Sequence, residues 1–280
     1  MLNFDQAEGL RRMLETPQKT VLSFLSALPE TERNGTVINL SATLANRGKR
    51  TLIVDAKVSE HSVSAWLNLR PDQSLLDVAR QKRTMEFVMK ELSPSLYATK
   101  VCDCILSEVQ MQEHGFRSLS KVFDIAASRS DVVVVDCDLD REDRFALSPL
   151  EDSKVIIQLS ADPHTIKAAY SMIKRLYSVS GVRQFGIVVS NVDQSQADLI
   201  FANLASTARR YLAVDLDLVG FIPDDPQMKR ATNAGRSVVE AFPLSKAAHA
   251  FVRIADKLIS GANASLRFDS ATLAGAHFEY

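Results

Sequence analysis

The sequence is poor in the features that mark many classes of function. Its 280 residues include three cysteines, Cys102, Cys104 and Cys137. So few thiols, and an odd number of them, speak against a disulfide scaffold and for a reducing compartment. Cys102 and Cys104 could form half of a metal site. No second pair and no histidine stands at ligand spacing, so they read as idle or buried thiols. Charge of one sign is also missing. With 33 basic and 34 acidic side chains, net −1, nothing draws nucleic acid or an anionic membrane. No apolar run approaches the ~20 residues of a membrane span. The opening "MLNFDQAEGL" has neither the basic start nor the apolar core of a signal peptide. The expected location is the cytoplasm. The five histidines, His61, His114, His164, His249 and His277, form no recognisable constellation, and no Ser/His/Asp or Cys/His set can be placed by spacing.

Short apolar runs are what the chain does have: Val21–Leu25, Thr51–Val54, Val132–Val135, Val155–Leu159, Gly186–Ser190 and Leu216–Ile222. Most are continuous rather than alternating, as in strands buried on both faces. The crossovers between them, such as Pro163–Val179, Gln194–Tyr211 and Leu244–Ile259, are long enough for helices. This pattern predicts an α/β fold with a doubly wound, mostly parallel sheet and helices on both faces. The 46% hydrophobic content suits one large domain. Ligands in such sheets sit at the carboxyl ends of strands. The segment Met85–Gln112 is less regular and predicts a hairpin or short edge strand. The expected plan is an amino-terminal helix in residues 1–18, a domain over 19–262, and a loosely packed tail over 263–280.

The first strand, the loop after it, a helix expected from about Gly35 to Ala45 and the second strand make the frame of a phosphate site. The chain has ten glycines, yet none lies in that loop, which reads Ala27-Leu28-Pro29-Glu30-Thr31-Glu32-Arg33-Asn34.

Three stretches carry a resemblance. "DQAEGLRRML" (Asp5–Leu14), "NLSATLANRGKRTLIVDA" (Asn39–Ala56) and the stretch from Arg209 to Leu258 resemble the MinD/ParA class of deviant P-loop ATPases. Within that class they are similar to the flagellar-number regulators of the FlhG (FleN) family. The match spans roughly Asp5 to Leu258. It implies a P-loop NTPase-like fold and a role in flagellar number or placement. The implied partners are an SRP-type flagellar GTPase (FlhF) and a transcription activator. The DQAxxLR-type residues Asp5, Gln6, Leu10 and Arg11 would be the partner contact.

The departures from the class lie where its chemistry would be. Its GKGGVGKT motif aligns with Ala27–Asn34, which puts Leu28 at the signature lysine, Arg33 at the P-loop lysine and Asn34 at the magnesium-binding threonine. The family's D-A-D becomes Asp55-Ala56-Lys57, with Lys57 at the aspartate that orients water. Asp136 matches the Walker B acid, and Cys137-Asp138-Leu139-Asp140 replaces the small segment after it. On the adenine side, Asn191 and Pro223-Asp224-Asp225 stand where the family touches the base.

A P-loop works because glycines let successive backbone N–H groups face phosphate oxygens. Pro29 has no N–H to give, and Glu30 and Glu32 add negative charge. Losing three or four charge-assisted hydrogen bonds removes about 5–10 kcal/mol, while a micromolar ligand has only about 8 kcal/mol in total. The expectation is therefore a pseudo-ATPase with no catalytic residues, no metal and no cofactor. Weak binding of ATP and magnesium is the alternative. A nucleotide-driven dimer is not expected. Arg33 and Lys57 either reach the carboxylates of Asp55, Asp136, Glu30 or Glu32 and stand in for magnesium, or all of these groups point into solvent.

Two rival functions remain at this stage: an ATP-switched MinD-like enzyme, and a divergent relative with a partitioning or cellulose-synthesis client. The acids Asp136, Asp138 and Asp140 have the spacing of a calcium loop, but Arg141 and Leu147 occupy its glycine and glutamate positions, so a solvated loop is expected. Asp5 and Glu8 form a capping-box pattern, and Ala7, Leu10 and Leu14 form an apolar stripe. That helix either docks on its own domain or engages a partner. The end "LRFDSATLAGAHFEY" has one arginine, two acids and no helical apolar stripe, so membrane binding is expected to be weak or absent.

Overall fold

Apolar alternation on two faces sets the architecture. In β5 (Val132–Asp136), Val133 and Val135 pack into one hydrophobic cluster, and Val132 and Val134 into another on the opposite face. The same split recurs in β1 (Thr20–Ser26), β2 (Thr51–Asp55), β6 (Lys154–Ser160) and β7 (Phe185–Ser190). The computed structural model describes residues 19–103, 113–181 and 184–274. The helix expected around Asp5, Gln6, Leu10 and Arg11 lies outside the described residues, as do Cys104 and His277.

The eight-stranded sheet has the order β3-β4-β2-β5-β1-β6-β7-β8, with β3 (Lys90–Ser93), β4 (Leu96–Lys100) and β8 (Leu216–Ile222) completing it. All neighbours are parallel except β3 against β4, the hairpin expected in the irregular segment. Its turn is possible because Ser95 takes a left-handed φ of 68°. Register places Asp55 directly opposite Asp136 at the carboxyl ends of β2 and β5.

The long helices cover both faces. One face carries α1 (Glu30–Asn46) and, later in the chain, α9 (Val238–Ala241) and α10 (Lys246–Ala274). The other carries α5 (Glu113–Ser128), α6 (Pro163–Ser180) and α7 (Gln194–Leu212). Short helices fill the connections: α2 (Val63–Trp66), α3 (Leu75–Ala79), α4 (Met85–Val88) and α8 (Pro226–Asn233).

Helix α1 is buried along its length, from Arg33 to Ala45. A helix buried all round would ordinarily be apolar, yet this one contains Thr36, Asn39, Ser41 and Thr43. Each donates a side-chain hydrogen bond to the carbonyl four residues back, at 2.6–3.2 Å. The polar groups are thus satisfied within the helix. Asn39 also accepts from the Val238 N–H at 2.6 Å, which fixes α9 against α1.

Two expected boundaries need correction. Helix α1 starts at Glu30, not near Gly35, so Glu30–Asn34 of the supposed phosphate loop are helical. Pro29 as N-cap and acids in the first turn are helix-start chemistry, since they suit the positive end of the helix dipole. The stretch expected as a tail from residue 263 begins as helix, because α10 continues to Ala274. Residues 262–274 contain no proline or glycine, and extending an existing helix needs no new nucleus.

Strand β8 lets α10 approach closely because Gly220 has no side chain. A Cβ there would lie 2.6 Å from Ile254 Cγ1. Gly220→Ala is expected to destabilise the protein by about 1–3 kcal/mol through overpacking. A urea-denaturation midpoint equal to that of the parent would refute this.

Candidate functional site

The site sits at the carboxyl ends of β1, β2, β5 and β7. The first turn of α1 brings Glu30 and Arg33 to it, the loop after β2 brings Lys57, and the loop after β5 brings Asp138. Arg33 is 4% exposed as a side chain and Lys57 6%. Asp138 receives a different cation on each oxygen: Arg33 Nη1 lies 2.9 Å from Oδ1 and Lys57 Nζ 3.1 Å from Oδ2. Both cations also meet Glu30 Oε1, Lys57 at 2.9 Å and Arg33 at 3.5 Å. The four groups close a ring of alternating sign. Ser59 Oγ donates to the second Glu30 oxygen at 2.7 Å.

Behind the ring lie two buried carboxyl groups. Asp55 is held by N–H groups, accepting from Lys57 N at 3.0 Å and Ser64 N at 2.8 Å. Burial raises its pKa, and these hydrogen bonds from Ser64 oppose the rise. Asp136 is fully buried and has Arg33 Nε 3.5 Å from Oδ1. That approach is not a hydrogen bond, and neither Asp136 oxygen nor Arg33 Nε makes one among the described residues. Burial pushes the Asp136 pKa up to about 8; Arg33 opposes this, while Asp55, Asp138 and Glu30 add to it. At neutral pH its carboxyl group therefore carries a proton. For Arg33, burial works against the charge, but Asp136, Asp138 and Glu30 outweigh it and raise the pKa further. The two cations do reach Glu30 and Asp136, as one of the sequence alternatives held.

Four backbone N–H groups of the loop are spent within the chain. Ala27 N donates to Gln158 O, Leu28 N to Ser26 Oγ, and Glu32 and Arg33 N to Pro29 O. Asn34, which the sequence resemblance set at a magnesium-binding threonine, donates its side-chain N–H to His61 O at 2.5 Å. Thr31 is exposed at the mouth of the site.

The residues expected on an adenine side have structural duties. Asn191, in a left-handed conformation, donates to Glu32 Oε2 at 2.8 Å. Asp225 caps α8 through the Gln227 N–H and accepts from Ala247 N at the start of α10, both at 2.9 Å. Pro223 is half-buried and Asp224 exposed.

Sequence reasoning missed a buried polar cluster beneath the loop. Gln158 donates to Thr36 Oγ1 at 2.8 Å and Ser190 Oγ at 2.9 Å, and accepts from Ser26 Oγ at 3.0 Å. It joins β1, β6, β7 and α1. The available signal was a lone glutamine inside the apolar run "VIIQLS".

The sheet order and this site geometry can now be compared with known proteins. The chain is 29% identical over 224 residues, 80% of each protein, to the antiactivator FleN of Pseudomonas aeruginosa. The structure superposes on a ParA family ATPase of Chlorobium tepidum with a TM-score of 0.67 at 19% identity, covering 85% of this chain and 99% of that one. The chain has the fold of the MinD and ParA ATPases and is similar in sequence to FleN. MinD of Pyrococcus horikoshii, solved as a complex with Mg-ADP, superposes with a TM-score of 0.63 at 20% identity, covering 86% and 96% of the two chains. No protein-family model matches the chain. Among the described residues, no helix is long and apolar enough to cross a membrane.

Proposed function

We propose that this protein of MinD/ParA fold is a regulator of flagellar number or placement that acts by protein contact and without nucleotide. The flagellar role rests on the likeness to FleN. The nucleotide-free mode rests on one observation: the phosphate-loop position is occupied from within. The N–H groups of Ala27, Leu28, Glu32 and Arg33 are already used, and Pro29 has none to offer. Glu30 and Glu32 supply the negative charge that a helix N-terminus favours. The Arg33 guanidinium lies against Asp136, where a magnesium-bound relative would need an open acid. These residues do not fit a polyphosphate with its metal, and no hydrolytic step is assigned. A second reading, weak binding of ATP and magnesium, draws its support from nucleotide-bound fold relatives such as the Mg-ADP complex.

The client of this reading is an SRP-type flagellar GTPase, with a transcription activator as a second one. The test measures binding of that GTPase by titration calorimetry, with and without ATP and magnesium. Equal affinity in both conditions is expected. An affinity that requires ATP would overturn the nucleotide-free mode, and no binding in either condition would overturn the choice of client.

A further inference from the structure

The charge ring joins three separate segments of the chain. Glu30 and Arg33 belong to α1, Lys57 to the loop after β2, and Asp138 to the loop after β5. Each member has two partners of opposite sign in the ring, so the loss of any one leaves two others with a single ring partner each. Two members, Arg33 and Lys57, are nearly excluded from water, where screening is weak.

The loop after β5 is fastened at its far end as well. Arg175 of α6 pairs with Asp143 through Nε at 2.5 Å and donates to Asp140 O at 3.4 Å. Between the two fastenings, Asp140 Oδ1 accepts from the N–H groups of Glu142 and Arg144, at 2.8 and 3.0 Å. Leu139 and Phe145 form an antiparallel bridge. A further contact, Asn191 to Glu32, ties the end of β7 to the same turn of α1.

We infer that the ring is a latch: Glu30, Arg33, Lys57 and Asp138 hold the loops after β2 and β5 against α1 in one arrangement that needs no bound ligand. The inference rests on the proposed nucleotide-free mode and names what replaces the ligand. The surface these loops form at the carboxyl end of the sheet is then permanently set, and a client meets the same face at all times.

Hydrogen-exchange mass spectrometry on the full chain tests this. Asp138 is 57% exposed, so Asp138→Asn removes one corner of the ring without touching the core. In a latch, Asp138→Asn speeds exchange about tenfold both in its own loop, residues 137–146, and in residues 56–62, which it does not adjoin in sequence. Lys57→Met does the same in both segments. The double variant exchanges no faster than the faster single one, because one opening breaks the whole ring. If each variant loosens only its own loop and the double variant sums the two, the latch is refuted. If Lys57→Met lowers the urea midpoint, the Asp138→Asn result decides alone. Adding ATP and magnesium to the parent separates this from the proposed function. Slower exchange at residues 27–34 would overturn the nucleotide-free mode, while coupled loops in the absence of ATP would still support the latch.

Discussion

The parent protein is expected to lose about 2–3 kcal/mol of stability between pH 6 and pH 10 through Asp136 alone. Its carboxyl group has a folded pKa near 8, raised chiefly by burial, against an ordinary value of 3.8. The sign follows from where the proton is held. Between those two values the folded state binds a proton that the unfolded state has released, so stability falls as pH rises. The contribution is complete below the unfolded pKa and is lost as pH rises through about 8. Over the two units from pH 6 to 8, each unit is worth about 1.4 kcal/mol. Asp136→Asn keeps the shape and removes the titration. It is expected to match the parent within about 1 kcal/mol below about pH 4, where the carboxyl group is protonated in both the folded and unfolded states, to be the more stable protein at pH 7, and to flatten the alkaline limb. Urea denaturation of both proteins at each pH gives the difference, which cancels the lysines and histidines they share. Cys137, next in sequence, has its thiol pushed well above the ordinary range by burial and so adds its own alkaline loss, which both proteins share and the difference removes. Parallel pH profiles would show that Asp136 is ionised throughout.

Gln158→Leu is expected to destabilise the protein by about 2–4 kcal/mol. Leucine has nearly the same volume, so the cost is polar rather than steric. The substitution removes an acceptor from Ser26 and two donated bonds, to Thr36 and Ser190, in a place without water. Ser26 still accepts from the Leu28 N–H and Thr36 still donates to Glu32 O, which keeps the loss below that of three orphaned groups. Ser190→Ala, which removes only one of these contacts, should cost less than half as much. Chemical denaturation separates the two variants. An unchanged Gln158→Leu midpoint would mean that the cluster contributes nothing.

The sheet was legible because each strand is a continuous apolar run bounded by turns, and "VVVVD" at Val132–Asp136 needs no context to be read. The order of the strands was not legible, since a parallel crossover can lead to either side of its predecessor. The start of α1 was misread because the alignment with a loop motif took precedence over local chemistry. Pro29 and two acids in the next three residues are helix-start signals in their own right. The charges of the site could be named from the sequence, but their ring could not. It depends on the register that sets Asp55 beside Asp136, and on a loop that folds Asp138 back over α1. Gln158 was passed over because a single polar residue in a strand has no period to detect, and its three partners are distant in sequence.

The ring also limits how the sequence can change. Substituting Lys57 by aspartate would place another acid among Glu30, Asp138 and Asp55 while leaving Arg33 as the one cation of the ring. Substituting Asp138 by a small neutral residue would leave two nearly buried cations facing one glutamate. Each of these two single steps thus passes through a charge imbalance, and concerted replacement of several corners avoids it. A lineage that acquires such a ring is held there by its own electrostatics, so the residues can persist together even where selection acts on none of them separately.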